Sequence, residues 1–216
     1  MERPRFFPVQ LSGNEHISGL TERFPSTDVN YILLPNHPNV ANPFQLRDVR
    51  NLLDPNHQLP AYGFFTDHFL NTDRPYVSRA ITFVAAKALD SQLIPVPQES
   101  RKDRSTTGSH EGGIRNTLKV TKRILEENPK GNIFVLFPEG QGSVNGVVGE
   151  VSKGVVSLMK RLSPAVVIPI GISADRSTRF YVPHPLRTTE LVIGKPYKVE
   201  KELTGERVRD SLTSLL

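Results

Sequence analysis

Two short apolar stretches of this 216-residue chain are each followed by a proline and then by a side chain suited to chemistry. Residues 31–34 lead to Asn36 and His37, and residues 133–137 lead to Glu139. An imidazole is well suited to proton transfer near neutral pH, and a carboxylate can orient the polar groups of a substrate. The pattern therefore indicates a candidate general base at position 37 and a candidate binding group at position 139.

Both stretches are predicted to be buried β-strands, because they are short, apolar and bounded by proline. In open α/β sheets, ligands bind at the carboxyl ends of the parallel strands, which is where these polar residues stand. A helix is predicted over residues 43–54, starting at Pro43. Helical spacing predicts its inward stripe to be Leu46, Val49, Leu52 and Leu53.

The rest of the chain alternates apolar runs with segments of helical periodicity. Further strands are predicted at residues 61–66, 92–96, 166–172, 179–182 and 190–193. Further helices are predicted at residues 74–90, 114–127, 151–162 and 203–216, with a polar connection over 98–113. This alternation predicts an α/β fold, a mainly parallel sheet with helices on both faces in a single domain. The domain is expected to span residues 30–216, after a lead-in over residues 1–29 with one short helix near 17–23.

The formal charge of +5 and the sequence pI near 9.6 favour acidic partners, such as phosphate esters, anionic lipid or an acidic carrier protein. Nucleic acid is the least favoured partner, because the basic residues are spread along the chain and no recognition motif is visible. No apolar run is long enough to span a bilayer or to form a secretory signal. Together with the absence of cysteine, this predicts a cytoplasmic protein.

Three motifs, taken in order, resemble the glycerolipid acyltransferase family, which includes the bacterial 1-acyl-glycerol-3-phosphate acyltransferases. They are Asn36 with His37, then Phe-Pro-Glu-Gly at residues 137–140, and then Val-Ile-Pro-Ile at residues 167–170. The Phe-Pro-Glu-Gly block is fairly specific, whereas the other two gain weight from their order and spacing. The resemblance covers roughly residues 30–195 and implies a glycerol-phosphate-acyltransferase-like fold.

The resemblance implies an enzyme of lipid metabolism and phospholipid biosynthesis. It would transfer a fatty acyl group from an acyl-CoA or acyl-carrier-protein thioester to a hydroxyl of a glycerol-phosphate or lysophospholipid acceptor. His37 would act as the general base without a covalent enzyme intermediate, since no serine or cysteine stands in a nucleophile motif. Asn36, Glu139 and Gly140 would bind the acceptor, and neither a metal nor another cofactor is implied.

The sequence departs from the family pattern at Asn42, where an aspartate is usual. An asparagine oxygen can still accept the imidazole proton, but it does not stabilise the imidazolium. The same exchange costs about 10⁴-fold in the serine protease triad. A second departure is the family's anion-binding arginine, which has no match just after residues 94–96. Arg101 or Arg104 could replace it; the alternative is that they lie in a solvated loop.

Two functions therefore stay open from the sequence. One is an acyltransferase that also associates with the anionic inner face of the membrane. The other is a catalytically weak homologue that binds lipid or acyl groups without turnover. Charge alone would also suit a simple phosphate-binding module. Glu139 likewise has a structural alternative, in which it pairs with a lysine or caps a helix.

Overall fold

The computed structural model describes residues 9–20, 28–36, 42–66, 87, 91–96, 107–139, 147–173 and 188–216. The strands are β1 (Val9–Ser12), β2 (Asn30–Pro35), β3 (Ala61–Thr66), β4 (Ser91–Val96), β5 (Ile133–Val135), β6 (Ala165–Ile172), β7 (Thr189–Ile193) and β8 (Tyr197–Lys198). The helices are α1 (Asn42–Leu53), α2 (Thr107–Glu127), α3 (Lys153–Arg161) and α4 (Gly205–Thr213), with a 3₁₀ turn at Asn14–His16.

These eight strands form one sheet in the order β1-β7-β6-β2-β5-β3-β4, with β8 also paired to β6. Strand β2 lies in the interior of the sheet and runs parallel to both of its neighbours, β5 and β6. Only the pairs β6–β7 and β6–β8 are antiparallel among the described strands. The predicted mainly parallel sheet is confirmed, and the two motif-bearing strands β2 and β5 lie side by side.

Helices cover both faces of the sheet, as the sequence predicts. Side chains of β2 alternate between two cores: Ile32 and Leu34 join one, and Tyr31 and Leu33 join the other. The first core is completed by residues of α2, α3 and α4, and the second by residues of α1 and of the segment before β2. Each fully buried leucine or isoleucine contributes about 1.5–3 kcal/mol, which is why a strand buried on both faces is almost entirely apolar.

The amino-terminal ends of β2 and β5 are joined by buried amide side chains. Asn132 Nδ2 donates a hydrogen bond to Asn30 Oδ1 at 2.9 Å, and Asn30 Nδ2 donates to the Leu162 carbonyl at 2.8 Å. Asn128 Nδ2 donates to the Tyr62 hydroxyl at 3.1 Å, which extends the contacts to β3. Most buried polar groups are paired, and here one amide of each strand start joins the other, whereas Asn132 Oδ1 has no hydrogen-bond partner within the described residues.

Residues 9–12 form a strand that the composition of the lead-in does not predict. Val9 to Ser12 pair in parallel with residues 189–192 of β7, far along the chain. Gly13 follows with a φ of +77°, and a Cβ there would lie 2.1 Å from the Ile193 carbonyl oxygen. A glycine is therefore required where β1 ends against β7.

Helix α2 starts at Thr107, seven residues before the predicted start, so part of the predicted connection 98–113 is helical. Its three glycines in this part disfavour a helix by about 1 kcal/mol each relative to alanine. Extending a helix nevertheless costs less free energy than nucleating one. The helical pattern of residues 114–127 allows nucleation there, and the helix then extends back to Thr107.

The inward stripe of α1 is also narrower than predicted, because Leu52 is 40% exposed while its three partners in the stripe are buried. At about 100° of rotation per residue, Leu52 lies at the border of the face that Leu46, Val49 and Leu53 share. The predicted helix 74–90, apart from the helical Lys87, and the predicted strand 179–182 lie outside the described residues.

Candidate functional site

The candidate site lies at the carboxyl edge of the sheet, where β2 and β5 end side by side. Leu33 is paired in parallel with Val135 of β5 and with Ile168 of β6. The Leu136 N–H then donates to the Leu33 carbonyl at 3.0 Å, so β2 and β5 stay in contact beyond the last paired residues. The structure therefore brings the residues that follow these two strands, among them Asn36 and Glu139, to one edge.

Asn36 is fully buried and is held by the end of β6. Its Oδ1 accepts a hydrogen bond from the Ile172 N–H at 2.6 Å, and its Nδ2 donates to the Ile172 carbonyl at 3.1 Å. Its own N–H donates to the Ile170 carbonyl at 3.3 Å. The side chain thus extends the ladder between the two strands. The predicted contact of Asn36 with substrate stays a prediction.

Glu139 is partly exposed, and its carboxylate is tied to the segment that precedes α3. Its Oε2 accepts a hydrogen bond from the Gly149 N–H at 2.9 Å. Next to it, the Pro138 carbonyl accepts from the Ser152 N–H at 3.0 Å. A Cβ on Gly149 would lie 3.3 Å from the carboxylate oxygen, so the approach is close. Glu139 thus links the end of β5 to the segment before α3. Its predicted contact with an acceptor stays a prediction.

The amino terminus of α3 lies at the same edge, because Ser152 directly precedes its first residue and is bonded to Pro138. Helix amino termini carry a partial positive charge that attracts anions. The first residue of the helix, Lys153, is exposed and adds a full positive charge. This edge therefore carries charges of both signs, the helix start with Lys153 on one side and the Glu139 carboxylate on the other.

Several predicted site residues lie outside the described part of the chain. They are His37, Gly140, Arg101 and Arg104. Asn42 is described as the first residue of α1, but its side chain is not. Their predicted roles stay predictions. Within the described ranges, no three histidine, cysteine or acidic side chains gather in a way that could hold a metal ion.

The sequence does not predict the two backbone partners at this edge, Ile172 and Gly149. Nothing local in the sequence marks Ile172, since it ends an ordinary apolar strand. Gly149 has a weak signal, because it closes a Gly-rich stretch that begins directly after Glu139. A polar residue at a strand end has the same sequence signature whether it binds a ligand or a backbone group that lies far along the chain.

The chain matches no family model, and no curated protein matches it in sequence. Its fold is similar to that of PlsC, the 1-acyl-sn-glycerophosphate (LPA) acyltransferase from Thermotoga maritima, with a TM-score of 0.49 and 16% sequence identity. The alignment covers 95% of this chain and 67% of that chain. A likeness of this degree carries no information about the reaction, the substrate or the site residues. None of the described helices is long and apolar enough to cross a membrane.

Proposed function

We propose that the protein is an acyltransferase that moves a fatty acyl group from an acyl-CoA or acyl-carrier-protein thioester to a hydroxyl of a glycerol-phosphate or lysophospholipid acceptor. The observation that carries the proposal is that the two family-like motifs follow adjacent parallel strands, β2 and β5. Parallel pairing brings both motifs to one sheet edge, and the carboxyl edge of an open α/β sheet is where ligand clefts form. The third motif lies in β6, the strand that holds Asn36.

In the proposed reaction, the hydroxyl oxygen of the acceptor attacks the thioester carbonyl carbon while His37 takes the proton of this hydroxyl. A tetrahedral oxyanion forms, and backbone N–H groups of the Gly-rich turn after Glu139 stabilise it. The intermediate collapses with cleavage of the carbon–sulfur bond, and the imidazolium returns the proton to the leaving thiolate. Asn42 would orient the imidazole through its side-chain oxygen.

The acceptor would be held by groups of both signs. Glu139 and Gly140 would bind its remaining hydroxyl groups, and its phosphate would face Arg101 or Arg104. The exposed Lys153 and the start of α3 support an anion at this edge. The net charge of +5 would also favour peripheral association with anionic lipid on the inner face of the membrane. Binding to vesicles of anionic lipid should then weaken as the salt concentration rises.

The second candidate function is binding of lipid or acyl groups without turnover. Asn42 favours it, because the imidazolium formed during proton abstraction would lack a compensating carboxylate. The two functions differ in one measurable event, the consumption of the thioester. A simple phosphate-binding module would bind glycerol phosphate but no acyl donor.

The test is an assay of thiol release from an acyl-CoA or acyl-carrier-protein donor against a panel of glycerol-phosphate and lysophospholipid acceptors. His37→Ala should abolish release, whereas His16→Ala, in the 3₁₀ turn that follows the edge strand β1, should leave it unchanged. Asn42→Asp should raise turnover, because a carboxylate recovers part of the missing stabilisation. Asn116→Asp, an exposed substitution of equal charge on α2, is the matched control.

The proposal fails if the wild-type protein releases no thiol with any donor and acceptor. Binding of acyl ligands without release would establish the second candidate instead. If the wild-type protein is active but Asn42→Asp does not change its turnover, residue 42 is not the partner of His37.

A further inference from the structure

We propose that Asn36 is a positioning residue, which clamps the end of β2 to the end of β6 and so fixes the point from which the chain continues to His37. The inference rests on the proposed function for the role of His37. The clamp itself rests only on the described geometry. Asn36 would thus serve the reaction without touching the acceptor.

The clamp needs one donor and one acceptor on the same side chain. Oδ1 accepts a hydrogen bond from the Ile172 N–H at 2.6 Å, and Nδ2 donates a hydrogen bond to the Ile172 carbonyl at 3.1 Å. A carboxylate can satisfy only the first bond, and an aliphatic side chain satisfies neither. The amide is therefore matched to both groups of a single residue on the neighbouring strand.

The clamp lies where the backbone pairing of β2 with β6 ends, because Pro35 and Ile170 are the last paired residues. The prolines at this end do not interrupt that pairing. The Leu33 carbonyl accepts from β5 and the Pro169 carbonyl accepts from Gly194, so the missing N–H groups of Pro35 and Pro169 face the other neighbouring strands. The Asn36 side chain and its N–H supply three hydrogen bonds directly beyond the last paired residues.

The partner strand is a firm anchor. Ile170 and Ile172 are fully buried, and both are also paired with β7 on the other side. Between them, Gly171 is packed against Leu215, whose Cβ would lie 2.7 Å from a Cβ at this position. A buried hydrogen bond to such an anchor is costly to leave unmade, so the amide keeps one position.

The position of Asn36 matters because His37 is the next residue in the chain. Proton abstraction requires the base within hydrogen-bond reach of the hydroxyl, and a misplacement of about 1 Å can cost about 10²-fold in rate. Releasing the clamp should therefore lower kcat and leave the KM for the acceptor nearly unchanged. Direct contact with the acceptor would instead raise KM.

The test compares Asn36→Asp with Asn30→Asp. Asn30 is the matched control, because it is a buried asparagine on the same strand whose amide also donates to a backbone carbonyl, at the opposite end. Both variants should lose stability, but only Asn36→Asp should lower kcat, by about 10- to 100-fold, per folded molecule. Hydrogen exchange at the Ile172 amide should speed up in Asn36→Ala, which removes the acceptor of that amide, and not in Asn30→Ala.

Asn36→Gln is the second variant if Asn36→Asp does not fold. It keeps both polar groups on a longer chain, so it should lower kcat less than removal of the donor and again spare KM. An unchanged kcat, a raised KM at unchanged kcat, or an Ile172 amide that stays equally protected would each overturn the clamp. Absence of thiol release from the wild-type protein would refute the proposed function, while the exchange measurement would still decide the clamp.

Discussion

The two ends of the strand pair β2 and β5 carry similar side chains but connect them differently. At the amino ends, Asn30 and Asn132 are bonded to each other. At the carboxyl ends, Asn36 is bonded to Ile172 of β6, and Glu139 is bonded to Gly149 before α3. At the amino ends, the two side chains bind each other, whereas at the carboxyl ends each side chain binds a separate part of the chain.

The difference shows that residue type and position next to a strand do not decide a role. Asn30 and Asn36 flank the same strand, and both are buried. One joins the pair at its start, and the other anchors the segment that leads to the proposed base. The amide at the amino end thus joins β2 to the start of β5, whereas the amide at the carboxyl end is the one that we propose positions the base.

The largest stability effect should come from breaking the amino-end contacts. Asn30→Ala leaves the Leu162 carbonyl and Asn132 Nδ2 without this partner inside the protein. At about 1–3 kcal/mol for each unsatisfied buried group, the free energy of unfolding should fall by about 2–4 kcal/mol. Urea unfolding measures the loss, and kcat per folded molecule should stay at the wild-type value. A fall in kcat as large as that of the Asn36 variants would break the comparison.

The next effect concerns the anchor of the carboxyl ends. Gly171→Ala places a Cβ 2.7 Å from Leu215 Cβ and 3.1 Å from the Leu215 carbonyl oxygen, so the overpacked contact should cost about 1–3 kcal/mol. The control is Gly154→Ala in α3, where the nearest atom is Ser152 Oγ at 3.5 Å. This helical substitution should stabilise by about 0.5–1 kcal/mol. Thermal unfolding of both variants gives the comparison, and equal effects would contradict it.

A smaller effect is expected at Glu139. Glu139→Gln keeps an oxygen for the Gly149 N–H but removes the charge, so the free energy of unfolding should change by less than about 0.5 kcal/mol. If the carboxylate binds the acceptor, the KM for the acceptor should rise about tenfold, which corresponds to about 1.4 kcal/mol. Steady-state kinetics measures this. If both the KM for the acceptor and the free energy of unfolding stay unchanged, the Glu139 carboxylate neither binds the acceptor nor stabilises the fold through its charge.

The smallest effect should appear on raising the pH. Burial, with the nearby charge of Glu127 adding to it, raises the pKa of Tyr62 above its ordinary value of 10.0, and burial also raises the pKa of Tyr31. The tyrosines of the unfolded chain therefore lose their protons at a lower pH than those of the folded protein. Their contribution to the free energy of unfolding is fully present below about pH 10 and is lost as the pH rises through their pKa values in the folded state. Tyr62→Phe should make this fall shallower in urea unfolding at pH 9–11. An unchanged slope would contradict the shift.

The sequence predicts elements well where the pattern is local. The apolar runs at 61–66 and 166–172 become β3 and β6, because burial on both faces leaves room for little but apolar residues. Strand β1 escapes prediction, because four residues alternate too briefly to signal a strand and their partner is β7. At the site, the shared edge of β2 and β5 is predictable from parallel pairing. The Asn36–Ile172 contact is not, since it joins residues 136 positions apart.

The long sequence separation between Asn36 and Ile172 has a consequence for the order in which the nascent chain folds on the ribosome. Strand β2 can pair with β5 once residue 135 has emerged, but the clamp of Asn36 requires Ile172, which is synthesised much later. Contacts of such separation pay their chain-closure entropy late in folding. A nascent chain can therefore pair β2 with β5 before the end of β2 is fixed against β6. Strands β7 and β8 emerge later still, and a chain that ends before residue 172 would lack the clamp.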